Sequence, residues 1–203
     1  MICLKIGGST LKSDSIAKCL NLITSLEKKI LIIPGGGEYA NLVRKEQKRL
    51  GFDDLTAHNL CILSMIKVSM IFNSLIKVDA EFIKNIKKFS SSINESLGIW
   101  LPENEIAESI NKYTNWENTS DSIALMVSKK INAKALVIIK SCVLPKRIRN
   151  NNSFALNKIE IEWLSNKNIL DKAFPKNFSD CKIPIYIISI QNLNQLELLL
   201  RKL

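Results

Sequence analysis

Three short segments of this 203-residue chain combine residue types suited to phosphate chemistry. "LKIGGST", Leu4–Thr10, sets Lys5 near the end of an apolar run, with Gly7, Gly8 and Ser9 directly after it. "IIPGGGEYA", Ile32–Ala40, sets Gly35, Gly36 and Gly37 after a second apolar run. "NTSDSIA", Asn118–Ala124, sets Asp121 among hydroxyl residues ahead of an apolar stripe. Five of the chain's seven glycines fall in the first two segments, so both clusters call for a local reason. A loop between a buried strand and a helix start presents backbone N–H groups, the helix dipole favours negative charge, and glycine lets an anion come close. Two such loops at neighbouring strand ends would hold the two sides of one phosphoryl group in transfer. A lysine just ahead of the first loop would neutralise charge that builds in the transition state. Neither loop carries GxxxxGK[ST] or GxGxxG, so a different phosphate-binding architecture is required.

The elements that must position these residues alternate. Ile2–Ile6, Ile30–Ile33, Leu97–Pro102, Ala135–Lys140 and Ile183–Ile190 are short apolar runs fit for buried strands. Ser13–Glu27 has helical spacing, with Ile16, Ala17, Leu20, Ile23 and Leu26 on one side. Glu38–Leu50 reads as a helix leaving the glycine loop. Asp53 or Asp54 caps a longer helix from Leu55 to about Leu75, apolar on most faces and so expected to be buried on several sides. Thr119, Ser120 or Asp121 starts another helix, and "NLNQLELLLRKL" closes the chain as a helix. Ala80 to about Ser91 is amphipathic and lysine-rich, Asn104–Asn118 is ambiguous, and the basic stretch 145–153 reads as a loop. Strands that are continuous apolar runs, alternating with helices, predict a three-layer α/β/α sandwich with a mainly parallel central sheet. The chain reads as one domain, with a weak division near Trp116 into lobes 1–115 and 116–203.

Composition bounds the function classes. Hydrophobic content of 46% and charge of 24% fit a globular protein with a sizeable core. No apolar run reaches the roughly 18–20 residues of a membrane span, and Lys5 breaks any signal-peptide pattern, so the expectation is a cytoplasmic protein without membrane association. The five cysteines are scattered and His58 is the only histidine, which points to reduced thiols and no metal cluster. The net charge of +10 favours anionic partners. The lysines are dispersed and no basic–aromatic ladder occurs, so small phosphates fit better than nucleic acid.

The three segments, in this order, resemble the amino acid kinase family, whose members carry the γ-phosphate of ATP, with Mg2+, to a carboxylate, carbamate or phosphate. Carried over by position, the resemblance gives catalytic roles to Lys5 and Asp121, the aspartate organising the lysines. It gives phosphate or ATP binding to Gly7, Gly8 and Ser9, and acceptor contact to Gly36 and Gly37. It also implies a homo-oligomer. "DLTAHNLCILSM", "WENTSDSIA", "KSCVLP" and "LDKAFP" resemble a small branch of that family, the [5-(aminomethyl)furan-3-yl]methyl phosphate kinases of one-carbon cofactor biosynthesis. On that resemblance the acceptor is a furan-methyl phosphate converted to its diphosphate, His58 touches the acceptor, and Asp54, Glu38 or Asp171 meets its aminomethyl group. The pattern departs from the family after Ala135–Lys140, where "KSCVLPKR" stands in place of T-D-V-D-G, and in the missing downstream glycine and lysine. Lys140 is the candidate replacement in phosphate binding, ahead of Lys146 and Arg147. Trp116 is open to ring stacking or to core packing, and Asp171 to a site role or a cap. The competing readings are a non-catalytic nucleotide- or oxyanion-binding protein of the same fold, and a kinase for isopentenyl phosphate or an amino acid.

Overall fold

The computed structural model describes residues 1–78, 80–92, 96–149 and 154–203. Six strands form one sheet: β1 (Ile2–Ile6), β2 (Ile30–Pro34), β3 (Glu81–Ile83), β4 (Leu97–Trp100), β5 (Ala135–Lys140) and β6 (Ile185–Ser189). All five pairings are parallel, in the order β3-β4-β2-β1-β5-β6. Every residue of β1 and β2 is buried, which is why these strands read as unbroken apolar runs. Strands from either side of residue 116 meet in the sheet only where β1 pairs with β5.

Side chains alternate between the two sheet faces. Ile2, Leu4 and Ile6 join the core beneath α1 (Ile16–Thr24) and the C-terminal helix. Cys3 joins the opposite core, with Leu31, Ile33, Leu136 and Ile138. Lys5 shares the Cys3 face, directly beside Ile138 in the register, and Lys140 lies two residues beyond Ile138 on the same face. Two lysines thus leave adjacent strands on one side of the sheet at its carboxyl edge, where parallel α/β sheets bind ligands.

The helices follow the expected order, with instructive differences. α2 (Gly37–Leu50) begins in the glycine loop, ends at Gly51 in the left-handed region, and buries none of its residues. α3 (Asp54–Leu75) is capped by Asp53, whose carboxylate accepts from the Thr56 amide at 2.7 Å. This 22-residue helix contains an 18-residue window with a mean hydropathy of 1.5, so by length and composition alone it could cross a membrane. Its inner side, Met65, Val68 and Phe72, packs into the cores; its outer side leaves Leu63 and Met70 exposed, so it is not buried all round. The lysine-rich stretch is β3 followed by α4 (Ile86–Ser91). Asn104–Asn118 holds turns after a short 3-10 helix, Glu103–Glu105.

α5 (Ser120–Lys130) follows as expected. The basic stretch forms a short helix, α6 (Lys146–Arg149), rather than only a loop, and the rest of it, 150–153, lies outside the described residues. α7 (Lys158–Asn166), α8 (Phe174–Phe178) and α9 (Leu193–Lys202) complete the chain. The cysteines are unpaired: Cys3 and Cys19 are buried, with thiol pKa values raised by burial to about 11 and about 12, while Cys142 is exposed.

Candidate active site

The carboxyl edge of β1, β2 and β5 opens into a cleft of about 610 Å³. Its lining includes Lys5, Gly7, Gly8, Ser9, Gly36, Gly37, His58, Asp121 and Lys140. At its floor Asp121 lies between the two strand-end lysines. Lys5 Nζ is 2.6 Å from Asp121 Oδ1, and Lys140 Nζ donates to Oδ2 at 2.6 Å. Lys5 and Asp121 are each 3% exposed and Lys140 is partly exposed, so a site of net charge +1 lies at the cleft floor with two of its three groups buried. Burial alone would raise the Asp121 pKa, but the charges of Lys140 and Lys5 outweigh it and hold the carboxyl at about 2. Burial lowers the Lys5 pKa; Asp121 opposes that shift and the like charge of Lys140 adds to it. Lys140 therefore stands opposite Lys5 across a shared carboxylate.

The glycine loops are one structure rather than two separate walls. A Cβ on Gly8 would lie 2.1 Å from the Gly37 amide nitrogen and 2.5 Å from the Gly35 carbonyl oxygen. Gly37 has φ of +58°, and a Cβ there would lie 2.7 Å from the Gly8 carbonyl oxygen. At Gly8, Gly35 and Gly37 backbone packed against backbone leaves no room for a side chain. The amides are not all available to an anion. Gly7 N–H donates to Ile139 O at 3.0 Å, and Gly35 N–H to Ile6 O at 2.9 Å, so both extend the sheet ladder. Gly8 and Ser9 open a 3-10 helix and Gly37 opens α2, where first-turn amides have no intrahelical acceptor. Ser9 Oγ also lies 2.9 Å from Ser141 Oγ, tying the first loop to the segment after β5.

Asp171 resolves as a cap supplied from a distance. Thr119, the residue preceding α5, makes no capping bond with its own side chain. Instead Asp171 Oδ2 accepts from Thr119 N, Thr119 Oγ1 and Ser122 N at 3.0, 2.9 and 2.9 Å, and Oδ1 accepts from Ser122 Oγ at 2.5 Å. This fixes the turn that carries Asp121. Burial raises the Asp171 pKa and the Asp121 charge raises it further, with the Ser122 and Thr119 bonds opposing. Of the three carboxylates considered for an acceptor ammonium, Asp171 is thus committed. Glu38 pairs with Lys12 at 3.2 Å outside the cleft lining. Asp54 lines the cleft, with one oxygen accepting from Gln47 Nε2 at 2.9 Å.

One side of the cleft is the groove between α2 and α3. Gly37, Ala40, Asn41 and Arg44 come from α2, and Asp54, Ala57, His58 and Cys61 from α3, each set at helical spacing. His58 is half-buried between this cleft and a small cavity of about 60 Å³ beside Glu105, and burial lowers its pKa. Trp116 packs against α2: its Nε1 donates to Gln47 Oε1 at 2.5 Å, and the Arg44 guanidinium lies 4.4 Å from its ring centroid. Lys146 and Arg147 are exposed and do not line the cleft. The sequence reading missed two cleft cations, Arg44 and Lys172. Arg44 is seven residues after Gly37, two helical turns along the same face, so its place follows once the loop is known to line a site.

No protein-family model matches the chain. In sequence it is similar to the [5-(aminomethyl)furan-3-yl]methyl phosphate kinase of Methanocaldococcus jannaschii, with 29% identity over 188 residues, 91% of this chain and 86% of that protein. In structure it is similar to the uridylate kinase of Archaeoglobus fulgidus, with a TM-score of 0.69, 17% identity, and coverage of 97% of this chain and 94% of that one. It is likewise similar to the UMP kinase of Ureaplasma parvum, with a TM-score of 0.70, 18% identity, and coverage of 99% and 94%. The structural likeness shows the amino acid kinase fold.

Proposed function

We propose that this kinase of the amino acid kinase fold transfers the γ-phosphate of ATP to a small phosphate monoester, [5-(aminomethyl)furan-3-yl]methyl phosphate, yielding its diphosphate. The observation that carries the reading is the Lys5–Asp121–Lys140 cluster beneath paired glycine loops. The acceptor rests on the sequence similarity to the Methanocaldococcus jannaschii kinase.

In this reading an acceptor phosphate oxygen attacks the γ-phosphorus, the bond from γ-phosphorus to the β,γ-bridging oxygen breaks, and ADP leaves. The nucleophile is already anionic, so His58 serves acceptor contact and no general base is needed. Lys5 and Lys140 hold two ammonium groups where charge spreads over the transferring group, and Asp121 fixes them there without consuming both charges. The first-turn amides of Gly8, Ser9 and Gly37 supply further donors on the phosphate path. Among the described residues no three of His, Cys, Asp and Glu group to hold a metal, and Asp121 is committed to lysines, so a protein-caged ion does not fit. Magnesium would enter with the nucleotide's own phosphates. Lobe 1–115 takes the acceptor and lobe 116–203 the nucleotide, with Lys172 and the segment before it lining the nucleotide side.

The test is ADP release from Mg·ATP with the furan phosphate, isopentenyl phosphate, UMP, acetylglutamate and aspartate. Release with the furan phosphate alone upholds the reading. Release with another acceptor replaces the substrate and keeps the kinase. ATP binding without release for any acceptor would favour a nucleotide-binding protein.

A further inference from the structure

Arg44 is the cleft cation that the reaction scheme does not use. Among the described residues it pairs with no carboxylate, whereas Arg49 pairs with Glu46 and Arg201 with Glu197. Instead its guanidinium lies over the Trp116 ring, 4.4 Å from the centroid. That ring is itself anchored. Trp116 Nε1 donates to Gln47 Oε1, and the Gln47 amide nitrogen donates to Phe52 O at 3.2 Å and Asp54 Oδ1 at 2.9 Å, so both ends of the Gln47 amide are used. An exposed arginine is thus held in one place with its N–H groups left for a ligand.

In the proposed arrangement its position is on the acceptor side. Side chains of a helix lean toward its N-terminus, so the guanidinium covers the turn of α2 nearer the glycine loop. It is close enough to Cys61 for its charge to act on that thiol. The Cys61 carbonyl lies 3.6 Å from where a Gly36 Cβ would be, which puts this side of the groove against the second glycine loop.

Charge balance asks for a cation there. Lys5 and Lys140 share one carboxylate and leave a net +1 for the transferring group. A phosphate monoester brings a further charge of about −1.5 to −2 near neutral pH, and two phosphates meeting head-on repel. A planar guanidinium matches a phosphate with two parallel N–H bonds, which a lysine cannot do.

We propose that Arg44, braced by the Trp116 ring, binds the phosphate of the acceptor. This rests on the reading that the acceptor is a phosphate monoester. The experiment compares wild type, Arg44→Gln, Arg44→Lys and Trp116→Ala in Mg·ATP turnover with the furan phosphate, UMP, isopentenyl phosphate and the carboxylate acceptor acetylglutamate. Calorimetry of the furan phosphate and its parent alcohol accompanies it. Arg44→Gln is expected to raise the acceptor KM at least tenfold and leave the ATP KM within twofold. It should also abolish the tighter binding of the phosphate over the alcohol. Arg44→Lys should restore part of the loss, and Trp116→Ala should shift the acceptor KM in the same direction by less. Acceptor-dependent turnover with an unchanged acceptor KM in Arg44→Gln, or equal rises in both KM values, would overturn the role of Arg44 and leave the kinase reading standing. Turnover of a carboxylate acceptor alone, or of none, would remove the monoester reading and this role with it.

Discussion

The clearest test of how the site is assembled is Asp171, which touches none of the three charged groups at the floor yet holds the turn that carries one of them. Replacing Asp171 with alanine removes four hydrogen bonds, two to the backbone amides of Thr119 and Ser122 and two to their hydroxyls. The hydroxyls can turn to other acceptors, but the Ser122 amide, in the first turn of α5, has no substitute, since Thr119 does not cap. Loss of a cap costs about 1 kcal/mol, and bonds to a charged acceptor contribute about 1.5–3 kcal/mol each before the desolvation of the carboxylate is set against them. That desolvation is real here: burial and the Asp121 charge raise the Asp171 pKa. A net loss of about 3 kcal/mol follows, and at roughly 2–4 °C per kcal/mol for a chain of this size Tm should fall by about 6–12 °C. Asp171→Asn keeps one acceptor oxygen and should lose about half as much. Because Asp121 sits between the two anchored residues, kcat in Asp171→Ala should fall more than KM for ATP rises. Thermal unfolding by circular dichroism and steady-state turnover read both effects. A Tm within about 2 °C of wild type would refute the capping argument, and an unchanged kcat would sever Asp171 from the site.

Other outcomes follow from the same geometry. Lys5→Met should lower kcat by roughly 10²–10³-fold with ATP binding partly kept, because Lys140 still pairs with Asp121; retained turnover would exclude Lys5 from the transfer step. Gly8→Ala must force apart backbone segments now in contact and should cost about 1–3 kcal/mol along with most of the activity, read by thermal unfolding and ADP release. On the alkaline side, Lys5 loses its proton below the ordinary lysine value of 10.5, so turnover should decline with a midpoint under that pH; a rate still flat at pH 10.5 would contradict it. On the acid side, Asp121 has a depressed pKa, so its ion pairs contribute stability above pH 3.8 that is lost as pH falls toward about 2; acid unfolding followed by circular dichroism reads this.

Much of this architecture could be read from the sequence because parallel strands buried on both faces leave unbroken apolar runs. β1, β2 and β5 announce themselves in that way. β3 does not, being three residues long with Glu81 exposed. Composition could not say which side of α3 faces solvent, since Leu63 and Met70 are as apolar as Met65 and Phe72. α7 did carry a local signal that went unread: Asn157 and Glu160 form a capping box ahead of the buried Ile161 and Leu164. The cap on α5 could not be found that way, because its carboxylate lies about fifty residues along the chain from the amides it binds.

The same distinction separates what brings Lys140 to Lys5 from what brings Asp121 between them. Lys5 and Lys140 belong to strands whose pairing sets Lys5 beside Ile138, and the two-residue period of a strand puts Lys140 on the same face. Given a parallel β1–β5 pair in that register, their approach is a consequence of backbone geometry. Where a carboxylate enters between them depends on how α5 begins, and that beginning is imposed by Asp171 from a distant stretch of the chain. Lys5 and Lys140 thus form a two-lysine floor at the ends of β1 and β5 within the regular parallel register. The cost falls on the segment 168–172, which must both hold the α5 turn through Asp171 and line the cleft through Leu170 and Lys172. Substitutions in 168–172 should therefore couple to Asp121 rather than act independently of it, and a double-mutant cycle between Asp171→Asn and Asp121→Asn reads this directly. Additive effects on kcat would mean that the two carboxylates serve separate ends.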